Sequence, residues 1–426
     1  MRHRATICRF FRLVIVSVPL LLASVSWAQE ELNDNREIKK HKDATQAMTE
    51  RVYKSLGRIH EMMGEERYQD ALDDLEKLAR VPLNDHEKAL VEQTFGFLYV
   101  QMDRYREALD RFEKSLSYNA LPGAATQGML YSLAGLYASE ARHLEAIATM
   151  RRWFQYEAEP KAEAYMVIAS SFSELERYDD ALPYVKKAIS KADKPNEDWY
   201  MLELAIHIEK DRYADAAGVL RRMLLIWPEK PKYWELLTSI YIEMSEDKNA
   251  LNALMIAYRN GMITDTDKLL SLVQLNMLLE IPYTAGVIME TEMNNGNIEK
   301  TRQSLDMLLV AWTDARAYDK AIGVIDQLAA LTGDGDYHLR KARIYNEQGN
   351  WKGVTESVDA ALKLGVDEPA PAHMLAGMAY IELENFAESE RAFKAVQETG
   401  NPKQRDNAAE WLSFLNEKRT LRASLN

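Results

Sequence analysis

The chain of 426 residues contains a single cysteine, Cys8. A disulfide scaffold and a cysteine-built zinc or iron–sulfur site are therefore excluded. Basic charge is in deficit: 53 Lys+Arg stand against 66 Asp+Glu, a net charge of -13. A nucleic-acid binder needs a basic face, so that class is disfavoured. The eight histidines lie at positions 3, 41, 60, 86, 143, 207, 338 and 373, and no two are three to five apart. That spacing leaves no helical zinc pair. No Gly-x-Ser-x-Gly, phosphate loop or Gly-x-Gly-x-x-Gly occurs. The stretch 333–336 (GDGD) lacks the later ligand positions of a calcium loop and reads, like 294–297 (NNGN), as a turn. Carboxylate pairs such as Asp73–Asp74 and Glu65–Glu66 read as solvating charge on exposed helix faces. These absences predict no catalytic site, no cofactor and no metal.

Long apolar runs are also scarce, with one exception. Arg2, Arg4, Arg9 and Arg12 precede an apolar run of 13 residues at 13–25 (LVIVSVPLLLASV), followed by Ser26 and Ala28. A basic start, a short apolar stretch and small residues before position 29 form the pattern of a secretory signal peptide at 1–28. The run is short for a membrane span, which takes about 20 residues. An uncleaved N-terminal anchor is the alternative. Cys8 precedes the run, which disfavours a lipoprotein. Cleavage would remove four arginines and no acid, leaving 49 Lys+Arg against 66 Asp+Glu, a net charge of -17, and no cysteine. The expectation is a periplasmic protein with no integral span after cleavage.

What the chain has in quantity is repetition. With 47% hydrophobic residues it is too apolar to be disordered. A four-residue pattern, an aromatic or similar residue, two polar residues and alanine, recurs at 68–71 (YQDA), 105–108 (YREA), 143–146 (HLEA), 178–181 (YDDA), 213–216 (YADA) and 318–321 (YDKA). Weaker copies are 247–250 (DKNA), 282–285 (PYTA), 351–354 (WKGV) and 386–389 (FAES). Their last residues are spaced by 37, 38, 35, 35, 34, 35, 36, 33 and 35. A common period over ten copies marks a repeat array.

Each unit reads as two helices, because apolar residues recur three and four apart on both sides of a gap of a few residues. So short a gap makes the two helices antiparallel. Small residues such as Gly96 and Ala108 let them approach, with Tyr99 and Phe112 filling the space beside them. Prolines 82, 122, 160, 195, 228, 231, 369 and 402 fall between units, where they stop or start helices.

Gly96, Tyr99, Ala108 and Phe112 in the second unit resemble the signature of the tetratricopeptide repeat. So do Trp234, Tyr241, Ala250 and Ala257 in the sixth, Ala169, Phe172, Ala181 and Ala188 in the fourth, and Gly377, Tyr380 and Phe393 in the last. Ser389 departs from the pattern, and the seventh unit departs most, with Asn276 for Tyr and Pro282 beginning the turn. The resemblance covers 50–402 and implies an all-α, right-handed superhelical solenoid of about ten helix-turn-helix units. Residues 29–49 read as a polar, frayed lead-in. Residues 403–426 read as a capping helix and tail, with Ala408, Ala409, Trp411, Leu412, Phe414 and Leu415 on its apolar side.

The same resemblance implies that the first helix of each unit lines a concave surface that holds protein or peptide segments. Its fifth positions include Tyr131, Met166, Met201, Glu235, Leu270, Asp306 and Met374. Its ninth positions include Phe97, Ser170, Ala205, Gln274, Val310, Arg343 and Met378. The Lys and Asn clamp with which some members hold a C-terminal carboxylate is missing. The lining is instead rich in methionine, which suits an adaptable groove; the same methionines would also serve to fill gaps between helices. His143 and His207 take packing positions rather than ligand positions.

An exported, cysteine-free, all-repeat chain of this length further resembles the tetratricopeptide proteins that accompany TonB–ExbB–ExbD energy-transduction systems in gammaproteobacteria. That resemblance implies a scaffold or adaptor assisting outer-membrane iron or haem uptake. An accessory subunit of a cell-envelope enzyme and a periplasmic chaperone for outer-membrane clients are the alternatives.

Overall fold

A computed structural model describes residues 31–40 and 47–425, with side chains up to residue 420. The predicted signal peptide lies outside these described residues. Twenty-one α-helices and no strand are found among them. The chain divides into two compact units at Ile226 and Trp227. The sequence reading expected one continuous array, and the division falls on a boundary between repeats.

The N-terminal unit holds five helix pairs: α1 (Glu50–Gly64) and α2 (Tyr68–Ala79), α3 (Asp85–Gln101) and α4 (Tyr105–Ser117), α5 (Gly123–Ser139) and α6 (His143–Phe154), α7 (Ala162–Glu174) and α8 (Tyr178–Lys191), α9 (Glu197–Glu209) and α10 (Tyr213–Ile226). The C-terminal unit holds five more: α11 (Pro231–Glu243) and α12 (Asp247–Arg259), α13 (Thr266–Leu278) and α14 (Pro282–Asn295), α15 (Arg302–Asp314) and α16 (Tyr318–Thr332), α17 (Asp336–Glu347) and α18 (Trp351–Leu364), α19 (Pro369–Glu382) and α20 (Phe386–Thr399). It ends in α21 (Pro402–Leu425). Odd-numbered helices up to α19 are called A and even-numbered ones B.

Every copy of the four-residue pattern opens a B helix, and its fourth residue is fully buried in all ten pairs, including Val354 and Ser389. The reason is close approach: Ala181 or Ala321 leaves room for the paired A helix, and Ser389 spends its hydroxyl on the Gly377 carbonyl at 2.9 Å. The seventh pair conforms as well. Pro282 is the first residue of α14, where its missing N–H costs nothing. Asn276 is buried and donates to the Leu272 carbonyl at 2.8 Å.

The turn inside each pair has three residues, and the middle one adopts a left-handed backbone: Glu66, Asp103, Ala141, Glu176, Asp211, Ser245, Glu280, Arg316, Gly349 and Glu384. The next residue donates its N–H to the carbonyl five positions back, as from Arg104 to Tyr99 at 2.8 Å and from Asn385 to Tyr380 at 2.8 Å. This closes the orphan carbonyls of the A helix and reverses the chain. Only one of the ten middle residues is glycine, so the motif is invisible to a search for glycine. In the first four pairs the arginine after it bonds an acid three residues on: Asp70, Glu107, Glu145 and Asp180.

The lead-in is not frayed throughout. Residues 31–40 form a strap along the third and fourth pairs. Glu31 is buried between Arg151 (3.2 Å) and the Tyr184 hydroxyl, which donates to it. Leu32 packs against the core beside α6 and α8. Asp34 pairs with Lys187 at 2.6 Å and Lys191 at 3.3 Å. Arg36 donates to the Phe154 and Glu157 carbonyls, and the Lys39 N–H to the Gln155 carbonyl at 2.9 Å.

At the other end α21 lies over the tenth pair. Ala408 and Leu415 are fully buried, and Trp411 stacks on Phe393 with ring centres 5.9 Å apart. Ala409 and Phe414, expected on the buried side, are exposed. The buried stripe is narrower than the apolar composition suggests, because α21 has one neighbouring surface instead of two.

Candidate functional site

The A helices carry the rows singled out from the sequence. In the N-terminal unit the fifth-position residues Tyr131, Met166 and Met201 are half-buried, and the ninth-position residues Phe97, Ser170 and Ala205 are exposed. In the C-terminal unit Glu235, Leu270 and Met374 are half-buried, Gln274 and Arg343 exposed, and Met378 half-buried. The alternation follows from helix geometry: four residues advance slightly more than one turn, so the two positions share a face but not a depth.

Several of these side chains are already engaged. Tyr131 packs on Trp153 with centres 5.4 Å apart, and burial together with Glu163 raises its hydroxyl pKa. Phe97 meets Phe112 edge to face at 5.1 Å. Glu235 pairs with Lys268 at 2.6 Å, tying α11 to α13. Met166, Met374 and Met378 lean on the core while keeping an exposed side, so they fill gaps and line the surface at once.

In the second unit the rows open onto a cleft. Between α13 and α15 a cleft of about 620 Å³ is lined by Val273, Gln274, Met277, Arg302, Gln303, Asp306, Met307 and Val310. Val273, Met277, Met307 and Val310 supply an apolar floor. Gln274 and Gln303 supply amides that donate and accept. Asp306 and Arg302 form a charged wall with the next pair. The Tyr337 hydroxyl lies 3.1 Å from both Asp306 oxygens, Arg302 Nε donates to that hydroxyl at 3.2 Å, and the Arg340 guanidinium is 3.7 Å from Asp306. An apolar pocket with a few fixed polar groups is the ordinary form of a binding site.

Of the row residues named from the sequence, Gln274, Asp306 and Val310 line this cleft, with Leu270 one turn from Gln274 on the same helix. Met277, Arg302, Met307, Tyr337 and Arg340 were not singled out, because row counting selects one helix at a time. Gln274 on α13 and Asp306 and Val310 on α15 face the same cleft from adjacent A helices. Among the described residues no group of three or more His, Cys, Asp or Glu could hold a metal ion, and no helix is long and apolar enough to cross a membrane.

His207 is buried at the aromatic position of α9, and burial lowers its pKa. Its Nδ1 has no hydrogen-bond partner, and the Asp215 carboxylate lies 3.7 Å away. It is a packing group, as expected, but not a fully satisfied one.

Comparison with known proteins gives one family match: residues 166–233 fit the tetratricopeptide repeat model. These residues span α8 to α10 with parts of α7 and α11. No curated protein matches the chain. Among solved structures, a tetratricopeptide repeat protein from Parabacteroides merdae is 17% identical, with 60% of this chain and 98% of that chain covered and a TM-score of 0.28. YrrB, described as a TPR protein with an unusual peptide-binding site, is 15% identical over 43% of this chain and 90% of that one, at a TM-score of 0.35. MamA from Desulfovibrio magneticus is 16% identical over 43% and 99%, at 0.36.

Proposed function

We propose that this protein is an exported scaffold without chemistry of its own, which holds segments of partner proteins along its A-helix rows. The observation that carries the reading is the cleft of about 620 Å³ between α13 and α15, on the row where such repeats are expected to bind. Its floor of Val273, Met277, Met307 and Val310 accepts one or two apolar side chains of a helix or extended segment. The amides of Gln274 and Gln303 and the Arg302–Asp306 wall fix its register. Flexible methionines let the floor re-pack around more than one sequence. Phe97, Tyr131, Met166, Ser170, Met201 and Ala205 in the first unit, and Glu235, Leu270, Arg343, Met374 and Met378 in the second, extend the same kind of surface within each unit.

The test is photo-crosslinking in the native cell from a benzophenone residue placed at Gln274 or Val310. A discrete adduct that disappears in the Met307→Asp background is expected. Equal adducts from Gln274 and from an exposed position on a B helix, such as Lys248, would refute a dedicated groove.

The periplasm is the proposed compartment, on the pattern of residues 1–28. Protease accessibility in spheroplasts against intact cells tests it. Within that reading the partner is a component of a TonB–ExbB–ExbD system, and a deletion strain should grow poorly on haem or siderophore as sole iron source. Normal growth would point instead to a cell-envelope enzyme or an outer-membrane client.

A further inference from the structure

The strap reveals a second kind of groove. Residues 31–40 do not lie on the A-helix row; they run between the B helices α6 and α8 and the start of α7. The residues that grip them have fixed places in the repeat. Counted from the buried Ala146 of α6, Arg151 is five residues on, Phe154 eight and Gln155 nine. Counted from Ala181 of α8, Tyr184 is three on, Lys187 six and Lys191 ten.

Two repeats earlier the same places outline an open cleft of about 420 Å³ between α2, α3 and α4. Counted from Ala71, its walls include Glu76 at five, Ala79 at eight and Arg80 at nine. Counted from Ala108, they include Arg111 at three, Lys114 at six and Tyr118 at ten. Six of the seven strap-gripping places recur as wall residues; the place of Glu157, which accepts from Arg36, falls on Pro82 and is not among the walls.

We propose that this cleft binds an extended acidic segment of a partner polypeptide, seated as residues 31–40 are seated in the groove two repeats on. Lys114 occupies the place of Lys187, the residue that holds Asp34. Arg111 replaces Tyr184, so a cation stands where the strap's Glu31 finds a hydroxyl. Glu76 replaces Arg151, which narrows the acidic requirement to the side of α4. Arg80 and Lys88 border the cleft as well, Arg80 paired with Glu76 at 3.8 Å and Lys88 with Asp85 at 2.9 Å, so four cations stand against three carboxylates, Glu76, Asp85 and Glu92. In a chain of net charge -13 that local excess is a selective feature. Arg111 and Lys114 both donate to the buried Glu92, at 2.8 and 2.5 Å, which fixes them in place. Their side chains nevertheless stay 32% and 52% exposed, and each has N–H donors to spare.

The probe is a dye-labelled acidic form of the strap, residues 31–40 carrying Arg36→Gln, Lys39→Gln and Lys40→Gln so that the three acids Glu31, Asp34 and Glu37 stand without a base, titrated into the full chain by fluorescence anisotropy and mapped by hydrogen–deuterium exchange. The cleft predicts saturable binding that weakens at high salt, with added protection over residues 76–118. Lys114→Glu should weaken it about tenfold, which is the expected range for reversing one charge at a bound carboxylate. Lys114→Gln, with a milder loss, serves if the reversal disturbs folding. Three results would overturn the proposal: no saturable binding, protection confined to 143–191 through exchange with the resident strap, or an affinity indifferent to both substitutions.

Discussion

A methyl group added at Gly96 separates two accounts of how the helix pairs are held. Helix propensity alone says that Gly96→Ala in the middle of α3 gains about 1 kcal/mol. The packing says the opposite. A Cβ built at Gly96 would lie 2.4, 2.5 and 2.9 Å from three ring carbons of Phe112. Carbon atoms prefer about 3.5–4.0 Å, so the ring would have to retreat by roughly 1 Å. It has little room, since Phe112 is 1% exposed and enclosed by the core. Overpacking of this kind costs about 1–3 kcal/mol, and contact with three atoms of a walled-in ring belongs in the upper part of that range. The net expectation is a loss of about 1–2 kcal/mol. Gly135, on the exposed ninth position of α5, has nothing within 4 Å of such a Cβ. Gly135→Ala should therefore gain about 0.5–1 kcal/mol from propensity alone. Urea unfolding followed by circular dichroism reads both variants. Exchange rates of α3 and α4 amides localise the effect, because a repeat array need not unfold in one step. Adding Phe112→Leu to Gly96→Ala should recover part of the loss, a favourable coupling that a double-mutant cycle isolates. If Gly96→Ala proved as stabilising as Gly135→Ala, close approach at this position would not be what pairs the helices.

Three further outcomes are expected. Trp411→Ala should destabilise the C-terminal unit by about 2 kcal/mol, below the value for a fully buried tryptophan because the ring is half-exposed; unchanged exchange in α20 would mean that α21 does not cap it. His60, His207 and His373 all have pKa values lowered by burial, so their neutral forms favour the fold. Their contribution is whole above about pH 6.5 and declines as pH falls through and below that value, most for the buried His207 and least for His60, whose side chain is exposed to solvent. His207→Phe should flatten part of that slope in urea titrations at pH 7.5 and 5.5, and an unaltered slope would remove His207 from the account. Glu176→Gly should raise the melting temperature, since a left-handed non-glycine residue costs about 1–2 kcal/mol and glycine returns about 0.5–1 of it to chain entropy; a lowered melting temperature would refute the strain.

The period and the pairing were legible because burial repeats them. The first residue of each four-residue pattern starts a B helix in all ten pairs, and the fourth is fully buried even where it is Val354 or Ser389. The left-handed turns were not legible. Nine of the ten carry a non-glycine residue, held there by the backbone bond to the A helix and by packing on either side. The strap was missed for a related reason. Its composition is polar, and Glu31 is buried only because Arg151 and Tyr184 meet it from 120 and 153 residues away. A pattern that reads only local periodicity sees a solvated segment. The cleft between α13 and α15 was half-legible, with Gln274 chosen by its row and Met307 overlooked, because a cavity belongs to two helices and a row to one.

The two grooves draw on different positions of one repeat, and that division explains how the fold can stay constant while the surface varies. The fourth residue of each B helix must be small, since the paired helix passes over it. The fifth and ninth residues of each A helix are free to vary, and they do, from Phe97 to Ala205 to Arg343. Places three and six on in the B helices vary too, with Arg111 and Lys114 in one pair answered by Tyr184 and Lys187 in another. Each is a shallow contact on an extended surface, so one exchange changes affinity by a modest factor, while contacts gripping one segment together multiply. Substitutions at isolated row positions such as Ser170 or Ala205 should therefore be nearly silent. Met307 and Lys114 are the sensitive positions, because each borders a cleft in which several side chains meet one bound segment, so a charge placed at Met307 or reversed at Lys114 acts on the whole set of contacts at once.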